Sequence, residues 1–174
     1  TFSISGGDSS DLEITDSGVL TLKSNPNFEV KNNYSFTASV TDGLYSASTS
    51  ITVNISDVNE VPEFGPVAGE ISIDENIAAS SFAVTTVVAN DEDGDTLSYS
   101  LIGDDASILS VNGGGNIAFQ TSPDYENPTD SNSDNIYSFA VVASDGDLSA
   151  TSPNILISIN NLNDNAPTFV DLLT

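Results

Sequence analysis

Apolar and polar residues alternate along most of this chain. Tyr34, Phe36, Ala38 and Val40 take every second position in one segment; Tyr137, Phe139, Val141 and Ala143 do so in another. The same rhythm carries Ile51-Val53-Ile55, Ile155-Ile157-Ile159, Leu97-Tyr99-Leu101, Ile71-Ile73 and Phe82-Val84. Successive strand side chains point to opposite faces, so a period of two predicts strands with one buried face. Gly, Asn, Asp, Ser and Pro fill the gaps and supply turn geometry. Helical periodicity is absent apart from a single turn near Ser107 to Ser110. Gly113-Gly114-Gly115 reads as a hairpin turn. The pattern predicts an all-β chain.

The strands recur in order. Residues 2–29 match residues 99–126 at one fixed spacing: Ser3, Gly6, Asp8, Ser10, Leu12, Gly18, Pro26 and Glu29 return as Ser100, Gly103, Asp105, Ser107, Leu109, Gly115, Pro123 and Glu126. The second copy gains residues near Asn127 to Asn135. The match then resumes, with Tyr34-Ser35-Phe36 against Tyr137-Ser138-Phe139 and Asp42-Gly43 against Asp145-Gly146. A repeat of about a hundred residues with roughly seven short strands fits a Greek-key β-sandwich. The expected division is a partial repeat at 1–60 lacking its first two strands, a complete repeat at 61–165, and the opening of a further repeat at 166–174.

Charge narrows the function. There are 26 acidic residues against two basic ones, Lys23 and Lys31, for a net charge of -24. Nucleic-acid binding needs cationic side chains to displace counterions from phosphates, and docking on anionic lipid needs the same sign. Neither partner is expected. No apolar run approaches the roughly 20 residues of a membrane span. The chain has no Cys and no His. That excludes disulfides and leaves zinc or copper only oxygen ligands, which they seldom prefer.

The acids themselves recur at the ends of strands. Asp57-Val58-Asn59-Glu60-Val61-Pro62 follows one strand, and Asn161-Leu162-Asn163-Asp164-Asn165-Ala166-Pro167 follows the corresponding one. Upstream of each lies Pro26-Asn27-Phe28-Glu29 or Pro123-Asp124-Tyr125-Glu126. Further acids stand at Asp74-Glu75-Asn76 and Asp91-Glu92-Asp93. Clustered oxygen donors at module joints suit a hard divalent cation. Calcium is the expected cofactor, bound between neighbouring repeats of the same chain.

With an opening Glu-Asn, a later Asp-x-Asp, an x-Glu-x element, an Ala-x-Asp-Gly strand and a closing Asp/Asn-rich Pro junction in this order, the sequence resembles the cadherin repeat. The resemblance implies a tandem cadherin-like, immunoglobulin-like sandwich. It also implies how ligands divide. Around residue 59 they would be Asn27, Glu29, Asp57, the Val58 carbonyl, Asn59 and Glu60 upstream, with Asp91, Asp93 and Asp145 downstream. At the second junction they would be Glu75, Asp124, Glu126, Asn161, Asn163, Asp164 and Asn165, with an Asp-x-Asp partner beyond Thr174. Asn27, Glu60 and Asn161 stand where the family usually carries Asp, and the Glu-Asn element serving the first junction would precede Thr1. Fewer charged ligands imply fewer or weaker ions. The Asp57-to-Pro62 form is closer to large bacterial surface proteins than to animal cell–cell cadherins.

Competing motifs fail on spacing. Asp91-Glu92-Asp93-Gly94-Asp95 begins like an EF-hand loop, but Thr96 and Ile102 occupy the positions that need Gly and Glu. Asp95 is expected to be a solvated turn acid. Asp124 and Glu126 are expected to share a strand face as ligands rather than act as a glycosidase pair, with Tyr125 and Phe28 turned inward and Tyr45 packed. No nucleophile–base pair supports an enzyme. The expected function is a calcium-rigidified extracellular or cell-surface spacer in an adhesin. The alternative is a calcium-dependent carbohydrate- or self-binding module. A further expectation is head-to-tail self-association, with 166–174 packing on the incomplete first repeat of a neighbouring copy.

Overall fold

The alternating segments pair as expected, mostly into antiparallel ladders. The computed structural model describes residues 1–79 and 84–167. The chain divides into two units, Thr1–Asn59 and Glu60–Thr174.

In unit 1, β1 (Phe2–Ser5) precedes β2 (Leu12–Ile14), β3 (Leu20–Leu22), β4 (Asn33–Thr41) and β5 (Ser46–Asn54). One sheet runs β1-β4-β5 and a second pairs β2 with β3. The long β4–β5 ladder sets Tyr34 opposite Val53 and Phe36 opposite Ile51. Leu12, Tyr34 and Phe36 are the buried centre, with Ile4, Leu20, Leu22, Ala38, Ile51, Val53 and Ile55 packed around them. Lys31 caps this core, with its ammonium 4.4 Å from the centre of the Tyr34 ring and its Nζ 2.6 Å from Asp8 and 2.8 Å from Asp11.

Unit 2 contains β6 (Glu63–Phe64), β7 (Glu70–Asp74), β8 (Thr85–Thr86), β9 (Ala89–Asn90), β10 (Ser98–Ile102), β11 (Leu109–Val111), β12 (Asn116–Phe119), β13 (Ile136–Ser144), β14 (Ser149–Thr151) and β15 (Ile155–Asn160). One sheet has the order β10-β13-β15-β7, with β14 also on β13; a second has the order β11-β12-β8. Tyr137, Phe139, Val141, Ile155, Ile157 and Ile159 from the first sheet meet Val87, Leu109, Ile117 and Phe119 in one core. This is the two-sheet sandwich that the alternation predicted. Phe119 and Tyr137 pack edge to face with ring centres 4.9 Å apart. Gly115 is obligatory: its φ is +73°, and a Cβ there would lie 1.9 Å from the Val87 carbonyl oxygen.

The repeat is visible in the fold. β1 to β4 correspond to β10 to β13, and β5 to β14 with β15. The helical turn expected near Ser107 is a 3-10 turn at Ala106–Ile108, with its counterpart at Ser9–Asp11. Asp8 and its repeat mate Asp105 do the same work: each accepts a backbone N–H from the following long strand, Ser35 at 2.7 Å or Ser138 at 2.7 Å. Asp105 is buried and also accepts the Ser131 N–H, so it pins the residues gained by the second copy. The chain's one parallel pairing among the described residues joins β7 to β15.

Some expectations are corrected. Asp124 to Glu126 form a bend rather than a strand. Tyr125 is 36% exposed rather than turned into the core, and Tyr45 is 75% exposed rather than packed. Phe82 of the expected Phe82-Val84 strand lies outside the described residues. So do residues 168–174, on which the further-repeat and head-to-tail readings rest.

Candidate metal centre

Among the described residues, two groups of carboxylates assemble within unit 2, and the strand pairing explains both. β7 and β15 run parallel, so their C-terminal ends coincide, with Asp74 opposite Asn160. The residues that follow each strand are therefore neighbours. Glu75 donates its N–H to the Asn160 carbonyl at 3.2 Å, and Asn76 donates to the Pro123 carbonyl at 2.9 Å. The second contact draws in the 123–126 bend.

In the first group, one carboxylate oxygen from each of Glu75, Glu126 and Asp164 lies within 4.8 Å of the others. Glu75 is only 3% exposed. Its two oxygens accept the N–H groups of Tyr125 at 2.8 Å and Leu162 at 2.6 Å. Those bonds fix the carboxylate and tie the bend to the chain leaving β15. The Asn161 side-chain amide donates to Glu126 at 2.8 Å, and the Asn76 amide donates to Asp164 at 2.7 Å. Asn76 sits at φ +64°, a left-handed geometry that Asn tolerates, and this aims its amide at Asp164. Asn165 bonds Asp164. Asp124 turns back on its own bend, accepting the Glu126 and Asn127 N–H groups on Oδ1. Asn163 is exposed in the same segment.

The second group follows β9. Antiparallel pairing of β9 with β6 returns Asp91 to Asp95 toward the start of the unit. There the Glu60 N–H donates to Asp93 Oδ2 at 3.0 Å. One oxygen each from Asp91, Asp93 and Asp95 lies within 4.8 Å of the others. Asp91 Oδ1 accepts the Asp95 N–H, whereas its Oδ2 is buried and accepts no hydrogen bond from the described residues. Loss of solvent, then the charges of Asp91, Asp93, Asp145 and Asp147, push the Asp95 carboxyl above the usual range. An open pocket of about 380 Å³ beside it is lined by Asp91, Asp95, Tyr99 and Gly113, among others. Asp145 accepts the Asp147 and Leu148 N–H groups on Oδ1.

Sequence reasoning set Asp95 aside, yet its carboxylate joins Asp91 and Asp93. The signal was the alternation of acids at 91, 93 and 95. In unit 1, Asn27 Oδ1 accepts the Val30 N–H at 2.7 Å. Glu29 lies in that turn, and Asp57, Val58 and Asn59 lie in exposed, irregular chain.

All donors in both groups are oxygen, and one is a buried acceptor with nothing to accept. Such a set fits a hard divalent cation and does not fit a soft or redox metal.

Comparison with known proteins bears on the same segments. Residues 59–158 match the family described as Bacterial Ig domain. The chain is 34% identical over 139 residues to the cadherin EGF LAG seven-pass G-type receptor fmi-1 of Caenorhabditis elegans, covering 74% of this chain and 5% of that protein. It is 31% identical over 162 residues to human cadherin EGF LAG seven-pass G-type receptor 1, covering 88% of this chain and 5% of the relative. The chain thus spans about a twentieth of the length of these relatives. Among solved structures, human protocadherin-24 EC1-2 aligns with a TM-score of 0.66 at 22% identity, over 93% of this chain and 82% of that one. The protocadherin gammaB7 EC3-6 cis-dimer structure aligns with a TM-score of 0.68 at 27% identity, over 100% of this chain and 44% of that one. Among the described residues, no helix is long and apolar enough to cross a membrane, which says nothing of a β-barrel.

Proposed function

The chain belongs to the bacterial Ig domain family and is cadherin-like in fold, and from that premise we propose that it is a calcium-binding extracellular module, a stiffening spacer in a cell-surface adhesin. The observation that carries this reading is Asp91. Its buried Oδ2 accepts nothing while two further carboxylates crowd within 4.8 Å. Like charges held that close repel, and a buried acceptor without a partner is costly. A divalent cation relieves both. Calcium takes six to eight oxygens in flexible geometry, so carboxylates, carbonyls and waters can share it.

Glu75, Glu126, Asp164 and Asn161 would hold an ion at one group, and Asp91, Asp93 and Asp95 at the other. The ligands Asn27, Glu29, Asp57, Val58, Asn59, Glu60, Asp124, Asp145, Asn163 and Asn165 enter the proposal through the sequence resemblance. An ion on these loops stiffens the chain that enters or leaves a module. Repeated from module to module, such sites would hold a binding tip away from a cell. The cadherin relatives support adhesion as the setting. The acidic surface and the absence of Cys are compatible with life outside the cell.

The test is equilibrium dialysis with radiolabelled calcium. The wild-type chain should bind calcium in the presence of excess magnesium, and Asp91→Asn with Asp93→Asn should lose ions. Equal binding by both proteins would reject the Asp91 group.

A second reading has its own observation. Asp42 Oδ1 accepts the N–H groups of Leu44 and Tyr45, so the β4–β5 hairpin holds both side chains outward, at 81% and 75% exposed. This favours a carbohydrate- or self-binding role for that hairpin. Loss of binding to glycan arrays or to itself in Tyr45→Ser would separate this role from the spacer.

A further inference from the structure

Asn112 and Gly113 form the only Asn-Gly pair in the chain, at the tip of the β11–β12 hairpin. The turn is closed by two backbone bonds, Gly115 N–H to the Asn112 carbonyl at 2.9 Å and Asn112 N–H to the Asn116 carbonyl at 3.1 Å. The Asn112 side chain is directed back into this turn. Its Oδ1 accepts three donors: Gly114 N–H at 2.9 Å, Asn116 N–H at 3.1 Å and the Asn116 amide at 3.2 Å. A Cβ built on Gly113 would meet nothing within 4 Å, so the attacking residue is sterically open. Asn112 and Gly113 are both exposed to water.

We propose that Asn112 is a self-modification site, converted by the Gly113 backbone nitrogen through a cyclic imide to aspartate and isoaspartate. Solvent base removes the Gly113 amide proton. The nitrogen attacks Asn112 Cγ, a C–N bond forms, and the carbonyl pair moves onto Oδ1. That negative oxygen is where three N–H donors already converge. Donors preset on a developing oxyanion lower the barrier because they need no rearrangement. The pair then returns, the Cγ–Nδ2 bond breaks, and Nδ2 leaves as ammonia with a proton from water. Addition of one water opens the five-membered ring at either of its C–N bonds.

The two products differ in consequence. Aspartate keeps an acceptor at the position of Oδ1 and preserves the turn. Isoaspartate lengthens the main chain by a carbon and disrupts the Gly115-to-Asn112 closure. Either product adds a carboxylate next to Gly113, which lines the same pocket as Asp91 and Asp95. Asn132-Ser133 offers a natural control: its Oδ1 accepts only a long bond, from Asp134 N–H at 3.3 Å, and Ser133 carries a side chain.

The experiment incubates the full chain at mildly alkaline pH, folded in buffer or unfolded in guanidinium. Peptide mapping by mass spectrometry and isoaspartyl methyltransferase labelling follow the product. Conversion at Asn112 should be on the order of tenfold faster in the folded chain than in the unfolded chain, given the worth of oxyanion donors. Asn116→Ala should slow the folded rate and leave the unfolded rate unchanged. A folded rate equal to or below the unfolded one would overturn the proposal, because the turn would then shield Asn112. So would an Asn116→Ala variant that remains folded and keeps the wild-type folded rate.

Discussion

Asn160 and Asp74 face each other at the last rung of the parallel β7–β15 ladder, joined by a 3.1 Å bond from the Asn160 amide to the Asp74 carboxylate. That register places the next residues of both strands side by side. Glu75 then sits against Leu162 and, through the Pro123 contact of Asn76, against Tyr125. A carboxylate group drawn from three stretches far apart in sequence follows from this strand pairing.

Glu75→Ala should destabilise unit 2. The substitution leaves the part-buried Tyr125 and Leu162 N–H groups without their acceptor. At about 1–3 kcal/mol for each group stranded, the two together should cost roughly 2–6 kcal/mol. Urea unfolding followed by circular dichroism measures it. A loss below about 0.5 kcal/mol, the range of an ordinary surface change, would show that these bonds do not hold the bend.

Asp105→Ala is the matching control away from the acid groups. It removes the acceptor of the Ser131 and Ser138 N–H groups and should cost a similar amount. Melting curves in calcium and in chelator should keep their separation in Asp105→Ala and lose part of it in Glu75→Ala. If both variants respond to calcium alike, Glu75 is a structural acid only.

Asp93→Asn should reverse its effect with cation. In chelator it removes one of three crowded charges and should raise the melting temperature of unit 2. In calcium it removes a ligand and should lower it. Differential scanning calorimetry under both conditions reads the crossing. A variant less stable in both would indicate that the Glu60 N–H bond to Asp93, rather than charge, dominates.

Unit 1 should show its own pH limits through Lys31. Hydrogen bonds to Asp11, then Asp8, raise the Lys31 ammonium from about 10.5 to about 12. A raised folded value means the contribution is complete below about 10.5 and is lost as pH rises toward about 12. Asp8 and Asp11 are lowered, first by Lys31. Their contribution is present above the ordinary carboxylate value and is lost as pH falls through the lower folded one. Thermal melts by far-ultraviolet circular dichroism should show a loss of unit 1 stability between about pH 10.5 and 12 that is absent in Lys31→Met. Identical alkaline profiles would contradict the bridge.

The strands were legible because period two is local: Tyr137, Phe139 and Val141 are buried as their alternation required. The repeat marked Asp8 and Asp105 as equivalent positions, but their shared role, accepting the Ser35 or Ser138 N–H, comes from the fold. Other features depend on contacts that alternation does not encode. Tyr125 occupies a slot that looks inward on a strand, but the Glu75–Tyr125 bond holds that segment as a bend. Asp95 reads as a turn acid because it falls outside the Asp91-x-Asp93 element, yet its N–H bond to Asp91 curls the loop and brings the three acids together. The parallel β7–β15 pairing needs a long-range partner choice, and it is what assembles the Glu75 group.

Calorimetric melting of the whole chain in free calcium and in chelator distinguishes a calcium-binding module from one that binds none. Extracellular calcium modules bind at roughly 0.1–1 mM. At about 100 times the dissociation constant, one ion bound only to the folded state adds about 2.7 kcal/mol. The unit 2 transition should shift upward in calcium and much less in equimolar magnesium. Superimposable transitions in calcium and chelator would mean that unit 2 holds no stabilising calcium ion.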